Sequence, residues 1–294
     1  MKLKKMERSN RTRIAPTPSG YLHLGNVLSF ALTAGLARRS GASILLRIDD
    51  LDRERVGREY VEDIFETLNF LGIPWDEGPR SVEEYERVWS QVHRMGMYRE
   101  GLERLRETGR VFACDCSRAK ILRESPKGVY PGTCREKGMS LDREECSWRV
   151  RTEGVEMGGG DGGLPVEMTD FVVRKKDGYP AYQLTSVIDD LYFGIDLVVR
   201  GDDLRASTAA QRWLAKGLGL DEFRRIRFCH HPLLMVSSDE KMSKSAGATS
   251  VRYLRLQGLK PADLYSMILQ RLGSDADAGS WEELAAASRS LLKC

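Results

Sequence analysis

The sequence has no long apolar run. No window approaches the roughly 18 consecutive apolar residues that a membrane-spanning helix needs, and the basic start MKLKKMERSN is not followed by the apolar stretch of a secretory signal. Charge of one sign is hardly in excess, because 46 basic and 43 acidic residues leave a net charge of only +3. Such a small excess neither requires nor excludes a nucleic-acid partner. We therefore expect a cytoplasmic protein with no membrane partner.

Cysteine is scarce as well, with six residues in a chain of 294. In a cytosolic chain of this length, free thiols or metal ligands are expected rather than disulfides. Cys229 and Cys294 lie far from the other four cysteines and are expected to be ordinary thiols. The common phosphate-binding patterns G-x-G-x-x-G and G-x-x-x-x-G-K-[ST] are missing from the first turn. Any nucleotide site there must use another motif.

Strand-like and helix-like segments alternate in the first third of the chain. RTRIAPTPSG is typical of a short strand that runs into a Pro/Gly turn, and ASILLRIDD has the short apolar pattern of a buried parallel strand. The helical pattern between them ends at Gly41. Ser81 and Glu84 form a capping-box pattern before a segment expected to run on as a helix. Strand patterns recur in DLVVRGDD and RIRFCHHPLL, and a second capping-box pattern at Ser280 and Glu283 opens a helical tail. This alternation predicts an α/β fold with a doubly wound parallel sheet.

Polar residues follow three of the predicted strands. Arg13 lies in the first, and Arg200 begins the polar end of the third. The second is followed by Arg47, Asp49, Asp50 and Asp52. In an open α/β sheet the ligand crevice lies outside the carboxyl ends of the strands. Ordinary polar loops are the alternative for any single strand, but three together favour a site for a zwitterionic or anionic ligand.

The first turn and a distant lysine-rich loop both suit phosphate. APTPSGYLHLGN leads into a helix, whose N-terminus offers free N–H groups, while Gly25 permits close approach and His23 can donate a hydrogen bond. SSDEKMSKSAG carries Lys241 and Lys244 among serines and a glycine. Taken alone, a histidine such as His23 is more often a packed or capping residue, and such a lysine run is more often a solvated loop.

Together, HLGN and KMSKS resemble the two signature motifs of class I aminoacyl-tRNA synthetases. RIAPTPSGYLHLGN, LLRIDDLDRERV, DGYPAYQLTSVIDD and VVRGDDL resemble the glutamyl-tRNA synthetase branch, over nearly the whole chain except its charged start. The resemblance implies catalytic roles for His23, Lys241 and Lys244. It implies ATP contacts, with Mg²⁺, from Pro16, His23, Gly25, Asn26, Lys241, Ser243 and Lys244.

The same resemblance implies a pocket for L-glutamate. Its residues are Arg13, Ile14, Ala15, Pro16, Thr17, Asp49, Tyr182 and Arg200. An arginine fork suits a carboxylate because it binds both oxygens. The family often has glutamate where this chain has Asp49, so the contact with the amino group of the substrate differs by one methylene.

Within the branch, the chain resembles the glutamyl-queuosine tRNA(Asp) synthetases. Only 50 residues follow Lys244, which leaves no room for the anticodon-binding domain expected of a glutamyl-tRNA synthetase. The resemblance implies activation of glutamate without tRNA, then transfer to queuosine at the wobble position of tRNA(Asp). Alternatives are a minimal enzyme that charges the 3′ end of tRNA(Glu), a non-catalytic RNA-binding paralogue, and an enzyme that makes a small-molecule amide. We expect a monomer.

The segment CDCSRAKILRESPKGVYPGTC holds a candidate metal site. From spacing alone, Cys114, Cys116 and Cys134 are either zinc ligands or free thiols. The resemblance implies one structural Zn²⁺ with Tyr130 as fourth ligand, and Cys146 is the alternative. The predicted domains are a charged tail (1–10), two catalytic-core halves (11–109 and 169–235), the zinc and acceptor-like insertion (110–168) and the KMSKS loop with a helical C-terminal region (236–294).

Overall fold

The computed structural model describes residues 9–152, 163–234 and 250–294. The described chain divides into two compact units. The first contains Met1–His93, Ile195–Asp203 and Ile226–Cys294, and the second contains Arg94–Gly194 and Leu204–Arg225. The five domain ranges expected from the sequence stay predictions. Lys241, Ser243 and Lys244 lie outside the described residues.

The helices and strands follow the alternation that the sequence predicts. Within the described ranges the strands are β1 (Arg11–Ile14), β2 (Ser43–Leu46), β3 (Val111–Cys114), β4 (Ser147–Val150), β5 (Val172–Arg174), β6 (Leu197–Gly201) and β7 (Arg227–His231). The helices are α1 (Leu24–Ser40), α2 (Arg58–Phe70), α3 (Val82–Glu84), α4 (Met95–Glu107), α5 (Arg118–Glu124), α6 (Tyr182–Tyr192), α7 (Arg205–Gly217), α8 (Val251–Leu256), α9 (Pro261–Arg271) and α10 (Trp281–Ser288). None of these described helices is long and apolar enough to cross a membrane.

A four-stranded parallel sheet forms the centre of the first unit. Its strand order is β2-β1-β6-β7, and Thr12 of β1 pairs with Ile44 on one side and Leu197 on the other. The strands are short and almost entirely buried, and the apolar runs of β2 (SILL) and β6 (LVV) are typical of strands covered on both faces. The predicted doubly wound α/β fold is therefore confirmed.

Helix α1 begins and ends where the sequence predicts. It ends before Gly41, whose φ of 76° is the left-handed conformation that glycine adopts without strain. Gly35, in the middle of α1, faces α10. A Cβ atom at Gly35 would lie 2.7 Å from the Cβ of Ala285, so the close packing of the two helices requires glycine there.

The helix expected to continue from Ser81 is interrupted. Ser81 caps α3 as predicted, accepting a hydrogen bond from the N–H of Glu84, but α3 is a single turn and passes into a π-helical turn at Tyr85–Trp89. The backbone leaves the helical conformation at Ser90, whose ψ is 142°. The cause is Asp50, since its buried carboxylate accepts hydrogen bonds from the side chains of Tyr85 and Ser90.

The expectation that Cys229 and Cys294 are free thiols is wrong. The two sulfur atoms form a disulfide across a sequence separation of 65 residues. The neighbouring residues His230 and Lys293 exchange two backbone hydrogen bonds of 2.9 Å, which places Cys294 beside β7. A C-terminal strand pairing of this kind leaves no signal in the local sequence.

The second unit contains a three-stranded antiparallel sheet, β3-β4-β5, with α4, α6 and α7. A buried ion pair in this unit joins Arg94 to Asp189, with a bidentate contact of 2.8 and 3.2 Å. The hydroxyl of Tyr98 donates a third hydrogen bond to Asp189 at 2.6 Å. The side chains of Asp189 and Arg94 are 0% and 7% exposed, so the pair is shielded from water.

Asp189→Asn is expected to lower the free energy of unfolding by about 3–5 kcal/mol, because it removes the carboxylate charge that faces the buried guanidinium of Arg94. Chemical denaturation measures this change. Asp142→Asn is the matched control, since its bidentate pair with Arg106 is exposed and should give no measurable loss. Equal stability of the two variants would contradict the role given to the buried pair.

Candidate active site

The carboxyl ends of the four parallel strands meet at one edge of the first unit. Backbone hydrogen bonds continue beyond the strands, from Arg47 N–H to Ile14 C=O at 2.9 Å and from Asp49 N–H to Pro16 C=O at 3.0 Å. Three predicted substrate contacts, Ile14, Pro16 and Asp49, are thereby brought side by side. This edge is where an open α/β sheet forms its ligand crevice.

His23 caps the N-terminus of α1. Its side-chain Nδ1 accepts a hydrogen bond from the backbone N–H of Gly25 at 3.1 Å. The backbone N–H of His23 donates to Oδ1 of Asn26 at 2.9 Å. The first turn of α1 contains no acidic residue, so no side chain of that turn offsets the positive end of the helix dipole. A Cβ atom at Gly25 would lie 2.9 Å from the imidazole of His23, so glycine keeps this geometry open.

The surroundings of His23 favour the neutral form of its imidazole. Burial lowers the pKa of the imidazole, and the nearby carboxylate of Asp203 only partly opposes that shift. The ring is therefore neutral at pH 7, and because Nδ1 accepts from Gly25, the proton resides on Nε2. A neutral His23 thus presents an N–H donor beside the helix N-terminus, the arrangement that stabilises a developing phosphate charge.

A second histidine connects β7 to α1. The Nδ1 of His231 lies 2.9 Å from the carbonyl of Pro232, and its Nε2 lies 2.7 Å from the hydroxyl of Ser29. Burial lowers the pKa of His231, with the Pro232 carbonyl and nearby carboxylates opposing. Its pairing with Ser29 was missed because the two residues are 202 positions apart.

Asp49 is oriented by a buried ion pair. Its carboxylate oxygens accept hydrogen bonds of 2.7 and 3.0 Å from Arg47, and the two side chains are 9% and 2% exposed. An amino group binding at Asp49 would share the carboxylate with that guanidinium. The side chain of Asp49, one methylene shorter than glutamate, is thus held in place by Arg47 just beyond the end of β2.

Asp50 anchors the loop that follows β2. Besides the hydroxyls of Tyr85 and Ser90, its carboxylate accepts from Arg53 at 2.7 Å and from the backbone N–H of Gln91 at 2.9 Å. Burial, followed by the Asp50 charge, raises the pKa of Tyr85 and keeps this hydroxyl a donor. The sequence marked Asp50 only as a strand-end charge, because its partners other than Arg53 lie 35 or more residues away.

The other residues predicted to bind glutamate are divided between the two units. Arg13 of β1 and Arg200 of β6 are 7% and 4% exposed in the first unit, and the guanidinium of Arg200 lies 4.8 Å from the ring centre of Phe228. Ala15 and Thr17 lie in the turn after β1. Tyr182 is the first residue of α6 in the second unit, where it is 39% exposed.

The cysteine cluster, which we define as Cys114, Cys116 and Cys134 with Tyr130, lies at the end of β3 in the second unit. The three sulfur atoms lie within 4.8 Å of one another, and all three cysteines are buried. Cys116 Sγ is 3.5 Å from Cys134 Sγ, and Tyr130 Oη is 3.5 Å from Cys114 Sγ. Cys146 is buried but is not a member of the three-sulfur group.

The cluster fits a tetrahedral metal ion. Zn–S distances of about 2.3 Å place two sulfur ligands about 3.8 Å apart, close to the separation of Cys116 and Cys134. Burial opposes ionisation of Cys114, but the hydrogen bond to Tyr130 and the nearby charge of Arg149 bring its pKa below the ordinary value. Burial and Cys134 raise the pKa of Cys116 to about 12. A buried three-cysteine site of this kind can hold a metal ion.

A parallel sheet, a histidine-capped helix N-terminus in HLGN and buried arginines at the strand ends define a class I synthetase type of site. The chain belongs to the family of class I tRNA synthetases (E and Q), catalytic domain, whose model matches residues 9–153 and 163–286. The family predicted from the sequence motifs is confirmed, as is the class of enzyme.

Two relatives carry different names. The chain is 41% identical over 255 residues to the Glutamyl-Q tRNA(Asp) synthetase of Synechococcus sp. (strain CC9605), covering 86% of this chain and 79% of that protein. It is 36% identical over 276 residues to the Glutamate–tRNA ligase of Anaeromyxobacter sp. (strain Fw109-5), covering 90% of this chain and 58% of the relative.

Solved structures agree on the fold. The glutamate-tRNA synthetase from Elizabethkingia anophelis superposes with a TM-score of 0.74 at 22% identity. The alignment covers 95% of this chain and 65% of that one, so the chain spans less than two thirds of this neighbour. At this identity the likeness shows the shared fold.

Proposed function

We propose that this chain activates L-glutamate with ATP and transfers the glutamyl group to queuosine at the wobble position of tRNA(Asp). The observation that carries the proposal is the 41% identity to a protein named Glutamyl-Q tRNA(Asp) synthetase, extending over 79% of that relative. The edge of the parallel sheet in the first unit supplies side chains suited to the first step.

In that step a carboxylate oxygen of glutamate attacks the α-phosphate of ATP. The bond between the α-phosphate and the pyrophosphate breaks, which gives glutamyl-adenylate and pyrophosphate. Charge grows on the leaving oxygens, and fixed donors aimed at that charge supply most of the stabilisation. The Nε2–H of His23 and the N-terminus of α1 are such donors, and we assign Lys241 and Lys244 as further donors from the KMSKS motif.

Buried arginines suit the amino-acid substrate. Arg13 and Arg200 would bind the carboxylate groups of glutamate, and Asp49 would bind its amino group through the carboxylate that Arg47 orients. Tyr182, which the family resemblance adds to the glutamate contacts, is the first residue of α6 in the second unit. In the second step, a nucleophile on the modified base attacks the glutamyl carbonyl, and AMP leaves.

We infer that the cysteine cluster holds one structural Zn²⁺. Cys114, Cys116 and Cys134 supply thiolates, and Tyr130 supplies the fourth ligand, with Cys146 as the alternative. A zinc ion bound there adds stability by joining the end of β3 to the turn before Cys134. Mg²⁺ accompanies ATP as its counterion.

Charging of the 3′ end of tRNA(Glu) is a second candidate function. It is favoured by the 36% identity to a protein named Glutamate–tRNA ligase over 276 residues. Both candidates predict the same first reaction, so they differ in whether activation needs RNA and in which RNA receives glutamate.

Glutamate-dependent exchange of labelled pyrophosphate into ATP tests the proposed first step. We expect exchange with glutamate and Mg²⁺ in the absence of any RNA, and little change on addition of tRNA(Glu). Aspartate and glutamine serve as substrate controls. Exchange that appears only when tRNA(Glu) is added would contradict tRNA-independent activation, and no exchange under either condition would contradict the enzyme assignment.

A further inference from the structure

We propose that Asp63, a buried residue of α2, is a positioning residue for the catalytic donor His23. It holds the backbone of Leu22, the residue immediately before His23, and thereby sets the place of the imidazole at the start of α1. The inference rests on the proposed function, because it takes the action of His23 on the phosphate charge as its starting point. It adds to the site a residue that lies outside both signature motifs.

The burial of Asp63 needs a reason. Asp63 is 0% exposed, although it lies on a helix that has a solvent face. A carboxyl group in such a place costs free energy unless it makes specific hydrogen bonds. The contacts of its oxygen atoms therefore indicate what the residue does. The other buried residues of α2 are Val61, Ile64, Phe65, Thr67 and Leu68.

The partner of Asp63 is the peptide group that leads to His23. Its Oδ2 accepts a hydrogen bond from the backbone N–H of Leu22 at 3.0 Å. The carbonyl of Leu22 accepts from the backbone N–H of Val251 at 2.7 Å, and His23 forms an antiparallel bridge with Ser250. Both backbone groups of Leu22 are thus held, one by α2 and the other by the start of α8.

The residue before Leu22 is held by the same two helices. The ring of Tyr21 packs edge-on against Tyr60 of α2, with ring centres 5.0 Å apart. The guanidinium of Arg252 in α8 lies 5.2 Å from the centre of the Tyr21 ring. Residues 21–23 are therefore fixed between α2 and α8 before the chain enters α1. Because the Nδ1 of His23 is bonded to the N–H of the helix itself, the imidazole follows any shift of this segment.

The position of Asp63 calls for a hydrogen-bond acceptor more than for a negative charge. Burial raises the pKa of the Asp63 carboxyl, and the N–H of Leu22 with the charges of Arg255 and Arg252 only partly opposes that rise. Its second oxygen, Oδ1, is buried and has no hydrogen-bond partner among the described residues. Asparagine offers the same acceptor without a charge, so it is expected to replace aspartate here.

The test compares single substitutions in the full-length chain. Asp63→Leu removes the acceptor and keeps a side chain of similar size, and Asp63→Ala removes it with a smaller side chain should leucine fail to pack. Asp63→Asn keeps the acceptor. Thr67→Val is the matched control, since it removes a buried hydroxyl that has no hydrogen-bond partner in the described part of α2 or its surroundings. Pyrophosphate exchange is measured at a temperature at which circular dichroism shows each variant folded.

Asp63→Leu and Asp63→Ala are expected to lower the kcat of exchange about 10- to 100-fold, because a displacement of about 1 Å costs a catalytic group much of its effect. The KM values for ATP and glutamate should change less than about threefold, since the donor acts on charge that grows in the transition state. Asp63→Asn and Thr67→Val should stay within about threefold of the wild-type kcat. A residue that only stabilised α2 would lower the unfolding midpoint without this separation of kcat from KM.

Nuclear magnetic resonance tests the same contact without the reaction. In Asp63→Leu the amide proton of Leu22 should move upfield as its hydrogen bond is lost, and the imidazole signals of His23 should shift. Both sets of signals should stay near their wild-type positions in Asp63→Asn and Thr67→Val.

A folded Asp63→Leu with the wild-type kcat would overturn the proposal. Equal losses of kcat in Asp63→Leu and Thr67→Val would overturn it as well, and so would an Asp63→Asn variant as slow as Asp63→Leu. Failure of the proposed function is a separate result. If the wild-type chain shows no exchange, the proposed function fails, while unchanged His23 signals in Asp63→Leu would refute the positioning role by themselves.

Discussion

His23→Asn will lower the rate of glutamate-dependent pyrophosphate exchange by about 100- to 1,000-fold, the usual effect of losing one fixed donor to a developing charge. The variant should fold normally. Asparagine is a good N-cap, so the hydrogen bond to the N–H of Gly25 can be kept while the longer reach of the imidazole Nε2–H is lost. The effect should appear mainly in kcat, because the donor acts on charge that grows in the transition state.

Two further variants separate catalysis from helix capping. His23→Ala should lose the same activity and, in addition, about 1 kcal/mol of stability as the cap of α1 is removed. His93→Asn is the matched control, since His93 is exposed and its Nε2 hydrogen-bonds to the backbone carbonyl of Glu86 on the surface. Exchange near the wild-type rate in His23→Asn would contradict the catalytic role of His23.

Cys114→Ser is expected to abolish the zinc binding proposed for the cysteine cluster, lowering the zinc content of the purified protein from the predicted one equivalent to none by elemental analysis. Serine is a poor zinc ligand, and the loss leaves two sulfurs and a phenol, too few soft donors for a structural site. The stability of the second unit should fall as well, because binding free energy at a structural metal site is folding free energy.

Cys146→Ser and Tyr130→Phe decide the fourth ligand. Cys146 is buried in the same unit but outside the three-sulfur group, so its replacement should leave one equivalent of zinc. Tyr130→Phe should weaken zinc retention during titration with a chelator. The reverse pattern would make Cys146 the fourth ligand, and full zinc content in Cys114→Ser would contradict the proposed ligand set.

Local signals in the sequence were sufficient for most of the fold. The strands β2 and β6 carry apolar runs, Gly41 ends α1 in the left-handed conformation, and Ser81 and Ser280 cap helices as their spacing indicates. Each of these features depends on neighbours within a few residues, which is why pattern and propensity identify them.

Features that depend on distant residues could not be predicted. The carboxylate of Asp50 interrupts the helix after Ser81 from more than 30 residues away. The pairing of His231 with Ser29 spans 202 residues. The disulfide of Cys229 and Cys294 arises because the C-terminal residues pair with β7, and cysteine counting alone favoured thiols.

The candidate site shows the same division. The motif HLGN indicated the helix N-terminus and the residues His23, Gly25 and Asn26, and these three are joined by short hydrogen bonds. Nothing in the local sequence indicates that Arg47 pairs with Asp49, since Arg47 was predicted only as a polar strand end and Asp49 only as a strand-end charge and glutamate contact. The roles of the lysines in KMSKS stay predictions, since they lie outside the described residues.

Transfer of labelled glutamate to RNA tests the central claim most directly. Purified protein, ATP and Mg²⁺ are incubated with queuosine-bearing tRNA(Asp), with the same tRNA lacking queuosine, and with tRNA(Glu). The account predicts label on queuosine-bearing tRNA(Asp) alone. Label on tRNA(Glu) and none on tRNA(Asp) would contradict it, and would instead make this chain an enzyme that charges the 3′ end of tRNA(Glu).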